Sequence, residues 1–253
     1  MAANLNNLVS FTNEYLNISK IKDYCPNGLQ VEGRSVINKI IGGVTASQAL
    51  IDEALDQKAD AILVHHGYFW KGESPVITGI KQRRLKTLLE NDISLIAYHL
   101  PLDMHQTVGN NVLLARQLKL EIIGPLDPNS SASVGLVGKL EKPTSARLFE
   151  EWVSQQLDRE CLHIGDPDKL IETIGFCTGA AQGMIDQAVD LGLDAYLSGE
   201  ISEPTVHIAN ETGVNYFSAG HHATERGGVK ALGALLEKEF EIEFKFLDIC
   251  NPV

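Results

Sequence analysis

The chain has 253 residues, 44% hydrophobic and 21% charged, an ordinary globular balance that suits one large domain or two small ones. With 33 acidic and 21 basic residues, its net charge of −12 argues against a broad basic footprint for nucleic acid, so nucleic acid is not the expected partner. No apolar run reaches the roughly 18 residues of a membrane span, and the opening MAANLNNLVSFTNEYL lacks the cationic start and apolar centre of a signal peptide, which makes a cytoplasmic protein the expectation.

Leu5, Leu8, Phe11, Thr12, Tyr15 and Leu16 recur at helical spacing, so residues 4–18 read as an amphipathic helix. DYCPNGLQVEG follows, and its Pro26 and Asn27-Gly28 signal a turn. KIIGGVT reads as a strand, with Thr45 or Ser47 placed to cap a helix whose apolar face is Leu50, Ile51, Ala54 and Leu55. The apolar run Ala61–Val64 reads as a short buried strand that stops at His65-His66-Gly67. Neighbouring side chains on a strand point to opposite faces, so both imidazoles serve one site only if the chain turns there, and Gly67 permits the turn. Helix IKQRRLKTLLE comes next, with Ile80, Leu85, Leu88 and Leu89 expected inside. ISLIAYH is a second buried strand, and it too ends in a histidine, His99. A short helix near Asn110–Leu118 closes this half.

GPLDPNSSAS, residues 124–133, is the best linker candidate, which divides the chain into halves 1–124 and 125–253, with interlinking allowed. The second half alternates strands and helices from VGLVGKL to IEFKFLDI. The expected fold is therefore α/β, with a mainly parallel sheet in each half. Cys25, Cys161, Cys177 and Cys250 form no CxxC pair and read as reduced, buried fillers.

The two halves also repeat. IDEALDQKADAILVHH (51–66) and IDQAVDLGLDAYLSGE (185–200) match at seven of sixteen positions, among them Asp60/Asp194, Ala61/Ala195 and Leu63/Leu197. His65 and His66 then correspond to Gly199 and Glu200. The following strands ISLIAYH and VNYFSAGH each end in a histidine, His99 and His221, with a carboxylate four residues on, Asp103 and Glu225. The expected architecture is two related three-layer α/β halves presenting strand ends to a cleft between them, since ligands of open α/β sheets bind at the carboxyl ends of strands.

On a helix, positions i and i+4 share a face about 5–6 Å apart at Cβ, so His221 and Glu225 suit one metal or a carboxylate bridging two. Either His–carboxylate pair alone also fits a surface cap. Three strand ends with this chemistry together point to a metal site. Imidazole and carboxylate donors suit Zn, Fe, Mn or Ni. His222, one residue round from His221, is expected in solvent. Tyr68, Phe69 and Trp70 could stack on a base or pack against a neighbouring subunit, and the basic run Lys81, Arg83, Arg84 and Lys86 could meet a triphosphate but reads first as a solvated helix face. His105, His163 and His207 lack partner spacing and read as structural.

LVHHGYFWKGESP, AYHLPLDMHQTVGNN and GHHATERGG, with PNGLQVEG near the start, closely resemble a bacterial dinuclear-metal family, the GTP cyclohydrolase I type 2 homologues or Ngg-interacting-factor-three-like proteins, in its short YbgI-like branch. The resemblance covers essentially the whole chain. It implies two divalent ions held by His65, His66, Asp103, His221 and Glu225, with Glu225 bridging, in a homo-oligomer shaped as a hexameric ring. It also implies a hydrolase that opens the purine ring of a nucleotide such as GTP at C8 with loss of formate, His99 or His222 moving protons. The alternatives are a two-metal phosphohydrolase, and a non-catalytic metal-binding scaffold that delivers metal or associates with DNA.

Overall fold

The computed structural model describes residues 2–130 and 132–253. They form two compact units: Met1–Val108 with Gly228–Cys250, and Gly109–Gly227 with Asn251–Val253. Both are mixed α/β.

The first unit holds a five-stranded sheet in the order Glu243–Phe246, Lys39–Thr45, Ala61–His66, Ser94–Ala97, Gly28–Val31. Its first four strands are parallel and the last is antiparallel. Alternation along the strands builds a core on each face. Ile40, Ala61, Leu63 and Ile96 pack with helices Leu5–Tyr15 and Arg226–Phe240 through Leu5, Leu8, Val229, Leu232 and Leu236. Ile41, Ile62, Val64, Leu95 and Ala97 pack with helices Gln48–Asp56 and Gly79–Glu90 through Leu50, Ile51, Ala54, Leu85 and Leu88. That is the three-layer arrangement, with each fully buried Leu or Ile stabilising it by about 1.5–3 kcal/mol relative to an exposed position. Ser47 is the helix cap, its hydroxyl accepting from the Leu50 amide at 3.2 Å. Two expected inward residues of helix Gly79–Glu90 face out instead: Ile80 and Leu89 are more than half exposed, because Leu85 and Leu88 already fill the face against the sheet.

The second unit holds a six-stranded sheet in the order Glu121–Pro125, Leu136–Ser145, Leu170–Cys177, Ala195–Ser198, Asn215–Ser218, Leu162–Ile164. Only the two pairings around Ala195–Ser198 are parallel, and the other three are antiparallel, so this sheet departs from the mainly parallel expectation. One of the three antiparallel pairings flanks residues 124–133: Gly124 and Pro125 end strand Glu121–Pro125, which pairs antiparallel with Leu136–Ser145, so the stretch expected as a linker joins two neighbouring strands of one sheet. Ser131, inside that stretch, lies outside the described residues. The expected boundary at 124/125 thus falls within a strand. Helix Asn110–Leu118 packs Leu114, Ala115 and Leu118 with Phe149, Val153 and Phe176 of the second unit, while helix Arg226–Phe240 and strand Glu243–Phe246 return to the first.

The internal repeat is realised strand for strand within each unit. Ala61 pairs with Ile40 and Ser94; Ala195 pairs with Ile174 and Asn215. Asp60 Oδ2 accepts from the amides of Asn38 (2.7 Å) and Lys39 (3.1 Å). Asp194 Oδ2 accepts from Glu172 (3.0 Å) and Thr173 (2.9 Å), each donor 134 residues further on. An aspartate before the central strand clamps the backbone of its neighbour in both, at the start of Lys39–Thr45 and two residues inside Leu170–Cys177. Burial alone would raise the Asp194 carboxyl, yet these amides and the Thr173 hydroxyl outweigh it and hold the group below the usual carboxylate value.

Candidate metal centre

Strand Ala61–His66 runs two residues past the apolar stretch, so His65 and His66 are its last residues rather than the start of a loop. Gly67 does not adopt positive φ. Its role is space: a Cβ there would lie 2.2 Å from Gln30 Oε1, the atom that accepts from the Tyr68 amide at 2.7 Å. Although adjacent on a strand, the rings of His65 and His66 have centroids 4.6 Å apart, and His99 lies 5.1 Å and 5.7 Å from them. One ligand atom from each of these three histidines falls within 4.8 Å of the others.

The ring orientations are set from behind. His65 is fully buried, and its Nδ1 lies 2.9 Å from the Tyr98 carbonyl oxygen. A carbonyl only accepts, so Nδ1 donates and Nε2 is the ring atom left to face the site. That Nε2 lies 3.5 Å from Oδ1 of Asp103, a buried carboxylate on the short helix Leu100–Met104. His66 Nδ1 is 3.3 Å from Thr45 Oγ1 on the paired strand. His99 places Nδ1 2.7 Å from Asp23 Oδ1. The other Asp23 oxygen accepts from the Leu100 amide (2.9 Å) and Asn27 Nδ2 (2.8 Å), while Asn27 Oδ1 accepts from the His99 amide (2.7 Å). Burial would raise the Asp23 carboxyl, but its bonds to His99 and Asn27 prevail and bring it down to about 2.

In the second unit, helix His221–Thr224 breaks at Glu225, and Arg226–Phe240 begins afresh. The i, i+4 pair survives the break, with His221 Nε2 3.1 Å from Glu225 Oε2. His221 Nδ1 lies 2.6 Å from Glu200 Oε1. Burial pulls the His221 imidazole down, but the bonds and charges of Glu225 and Glu200 outweigh it and lift the group to about 9 in the metal-free chain. Gly179, at φ +70°, gives Glu225 room: a Cβ there would lie 2.2 Å from Glu225 Oε1 and 3.2 Å from His221 Nε2. Its amide donates to Thr224 Oγ1 at 3.1 Å.

The donors brought together in the first unit are His65, His66, His99 and Asp103, and in the second His221 and Glu225. Imidazoles fixed through Nδ1 beside buried carboxylates are the donor set of Zn, Fe, Mn or Ni, so the residues fit divalent metal. The repeat aligns the two second-half ligands differently than expected. The strand register sets Ser94–Ala97 on Asn215–Ser218, which puts His99 opposite Gly220, so His221 comes one residue later. His222, expected in solvent, is buried, and its amide donates to the Val253 carbonyl at 3.0 Å. Spacing missed Asp23, Asn27 and Glu200, although Glu200 is the repeat's counterpart of His66.

Cys25 is half-buried and Cys250 exposed, against the expectation of four buried fillers. Asp23, Cys25 and His99 also offer ligand-type atoms within 4.8 Å of one another. Burial and the Asp23 charge push the Cys25 thiol up to about 12, so it stays protonated. His105 stacks on Tyr15 and His163 on Phe217, while His207 pairs with Glu203, all structural roles. Lys86 pairs with Glu90 on the expected solvated face, whereas Lys81 is largely covered, paired with Glu73 and lying over the Phe69 ring, and Arg84 lies over Tyr68. No helix among the described residues is long and apolar enough to cross a membrane.

Residues 3–252 match the family model Duf34/NIF3 (NGG1p interacting factor 3). The chain is 57% identical over 252 residues to a GTP cyclohydrolase 1 type 2 homolog of Pseudomonas aeruginosa, covering 100% of both chains. It is 48% identical over 248 residues to the protein of the same name from Escherichia coli K12, covering 97% of this chain and 98% of the other. Among solved structures it superposes on the ybgI protein with a TM-score of 0.94 at 47% identity, covering 99% of this chain and 100% of that one. A Thermus thermophilus protein, TTHA1606, gives 0.87 at 33% identity, with the same coverage. HcgD of Methanocaldococcus jannaschii, at 24% identity and a TM-score of 0.84 over 98% of each chain, shares the fold. With its motifs, its two α/β units and its relatives in agreement from end to end, the chain belongs to the Duf34/NIF3 family.

Proposed function

We propose that this protein is a divalent-metal-dependent hydrolase acting on a purine nucleotide in the cytoplasm, with His65, His66, Asp103, His221 and Glu225 as the ligands of two ions. The observation that carries the reading is the anchoring of the histidines. His65, His99 and His221 each engage Nδ1 with an acceptor oxygen, of Tyr98, Asp23 and Glu200 respectively. That commits Nε2 to ligation or proton exchange. Ions held by this set would supply Lewis acidity and acidify water at neutral pH. His99 is assigned proton transfer, because Asp23 and Asn27 fix its ring and backbone beside the two ligand histidines. His222 is the second candidate. The shared name of the relatives, GTP cyclohydrolase 1 type 2 homolog, supports a guanine nucleotide as the substrate.

Incubation of the metal-replete protein with a panel of nucleotides, scored for formate and for phosphate, tests this reading. Formate from GTP is the expected product. Phosphate without formate would replace ring opening with phosphoester hydrolysis. Neither product, from a protein that yields its metal to weak chelators, would overturn the hydrolase reading in favour of metal delivery.

A further inference from the structure

The aromatic run after the histidines separates into three different fates. Tyr68 is core: it is buried, and its hydroxyl donates to the Ala46 carbonyl at 2.7 Å. Phe69 lies outward under Lys81 Nζ, 5.1 Å from its ring centroid. Trp70 turns back to the histidines, edge-to-face with His99 at 4.9 Å and tilted against His66 at 5.9 Å. The turn that achieves this puts Phe69 at φ +65°, a region a bulky side chain avoids. Strain of this kind persists where the surroundings impose it and clusters at functional sites.

Trp70 is also held in place. Its amide donates to Glu73 Oε2 (3.1 Å) and its indole N–H to the Gly67 carbonyl (3.2 Å), so the polar edge is satisfied locally and the ring is offered as a π surface. Beside the same imidazole stands Tyr24, 61% exposed, its ring 6.5 Å from His99 at 61°. The Lys71 amide donates to the Tyr24 carbonyl at 2.6 Å, tying the two aromatic-bearing loops together. The Tyr24 amide is fixed in turn on Asp23 Oδ1 at 2.6 Å.

We propose that Tyr24 and Trp70, bordering His99, form a stacking subsite for a planar heterocyclic ring, which in the hydrolase reading is the purine base of the substrate. An aromatic wall beside proton-exchanging imidazoles suits a ligand that has both a π face and ring nitrogens. An aliphatic or purely anionic ligand would draw on neither ring. The identity of the ring as a purine rests on the proposed function; the subsite itself does not need metal.

Calorimetric titration of the metal-free full chain with GTP, and separately with inorganic tripolyphosphate as the ringless control, tests the subsite. Wild type should bind GTP and bind tripolyphosphate at least tenfold more weakly. Tyr24→Ala and Trp70→Leu should each weaken GTP roughly tenfold, the effect of losing one base–aromatic stack, with Tyr24→Phe close to wild type. Unchanged circular dichroism and melting temperature confirm that the variants fold. Equal binding of GTP and tripolyphosphate, or GTP affinities within about twofold of wild type in both truncations, would overturn the proposal. Ring-dependent binding without formate or phosphate release would keep the subsite and remove the hydrolase reading. GTP turnover with an unchanged KM in Tyr24→Ala would do the reverse.

Discussion

An imidazole becomes a defined metal ligand only when its other nitrogen is engaged, and here the engaging groups come from far along the chain. Asp23 holds His99 across 76 residues, and Glu200 holds His221 across 21. Adjacent pairs at strand ends, His65-His66 and His221 with Glu225, were legible because spacing and strand position alone place them. Asp23 and Glu200 were not, since only the folded loops bring them near. If Glu200 orients His221, Glu200→Ala should weaken divalent-metal binding about 10–100-fold, with Glu200→Gln intermediate, in competition against a chromophoric chelator. Affinity equal to wild type would contradict that role. The Asp23 carboxyl falls from 3.8 to about 2 on folding, so it adds stability above the ordinary value that is lost as pH drops from about 4 towards 2. Asp23→Asn should remove about 1 kcal/mol of acid dependence, read from denaturant unfolding between pH 6 and pH 3. A parallel loss with pH in wild type and variant would refute it.

At the scale of elements, the repeated aspartate does more for the fold than the repeated histidines. Asp60 and Asp194 each accept two backbone amides of the neighbouring strand or the residue before it, and Asp60 also takes Arg34 at 3.0 Å. Asp60→Ala and Asp194→Ala would each leave two amides without their acceptor, and each should destabilise by about 1–3 kcal/mol in urea unfolding. A change under about 0.5 kcal/mol in either would refute the clamp role, as expected only of a surface substitution. The helix–strand units around these residues were readable from periodicity, down to the limits of strand Lys39–Thr45 and helix Asn110–Leu118. Strand direction was not. Residues 124–133 have the composition of either a linker or a hairpin turn, and only pairing with Leu136–Ser145 decides between them. Likewise, helical spacing in HHATERGGVKALG cannot reveal that the helix breaks at Glu225 while its side chain keeps its contact with His221.

At the scale of the whole chain, the repeat gave two α/β units but not their composition. Val229, Leu232 and Leu236 fix a helix face without saying which sheet it covers, and the pairing of Glu243–Phe246 with Lys39–Thr45 is what assigns the C-terminal segment to the first unit. The proposed working form is a homo-oligomer, expected from the family resemblance to be a hexamer. Light scattering at micromolar concentration should show a mass well above the 27.6 kDa of one chain, and a clean monomer would reject it. The claim on which the functional account depends is the metal pair. Glu225, read as the ligand common to both ions, should matter more than any one histidine. Elemental analysis of metal-replete protein tests this most directly: about two ions per chain in wild type, and less metal in Glu225→Ala than in His65→Ala, His66→Ala or His221→Ala. Fewer than about one ion per chain in wild type, or undiminished metal in Glu225→Ala, would contradict the dinuclear centre and the hydrolase built on it.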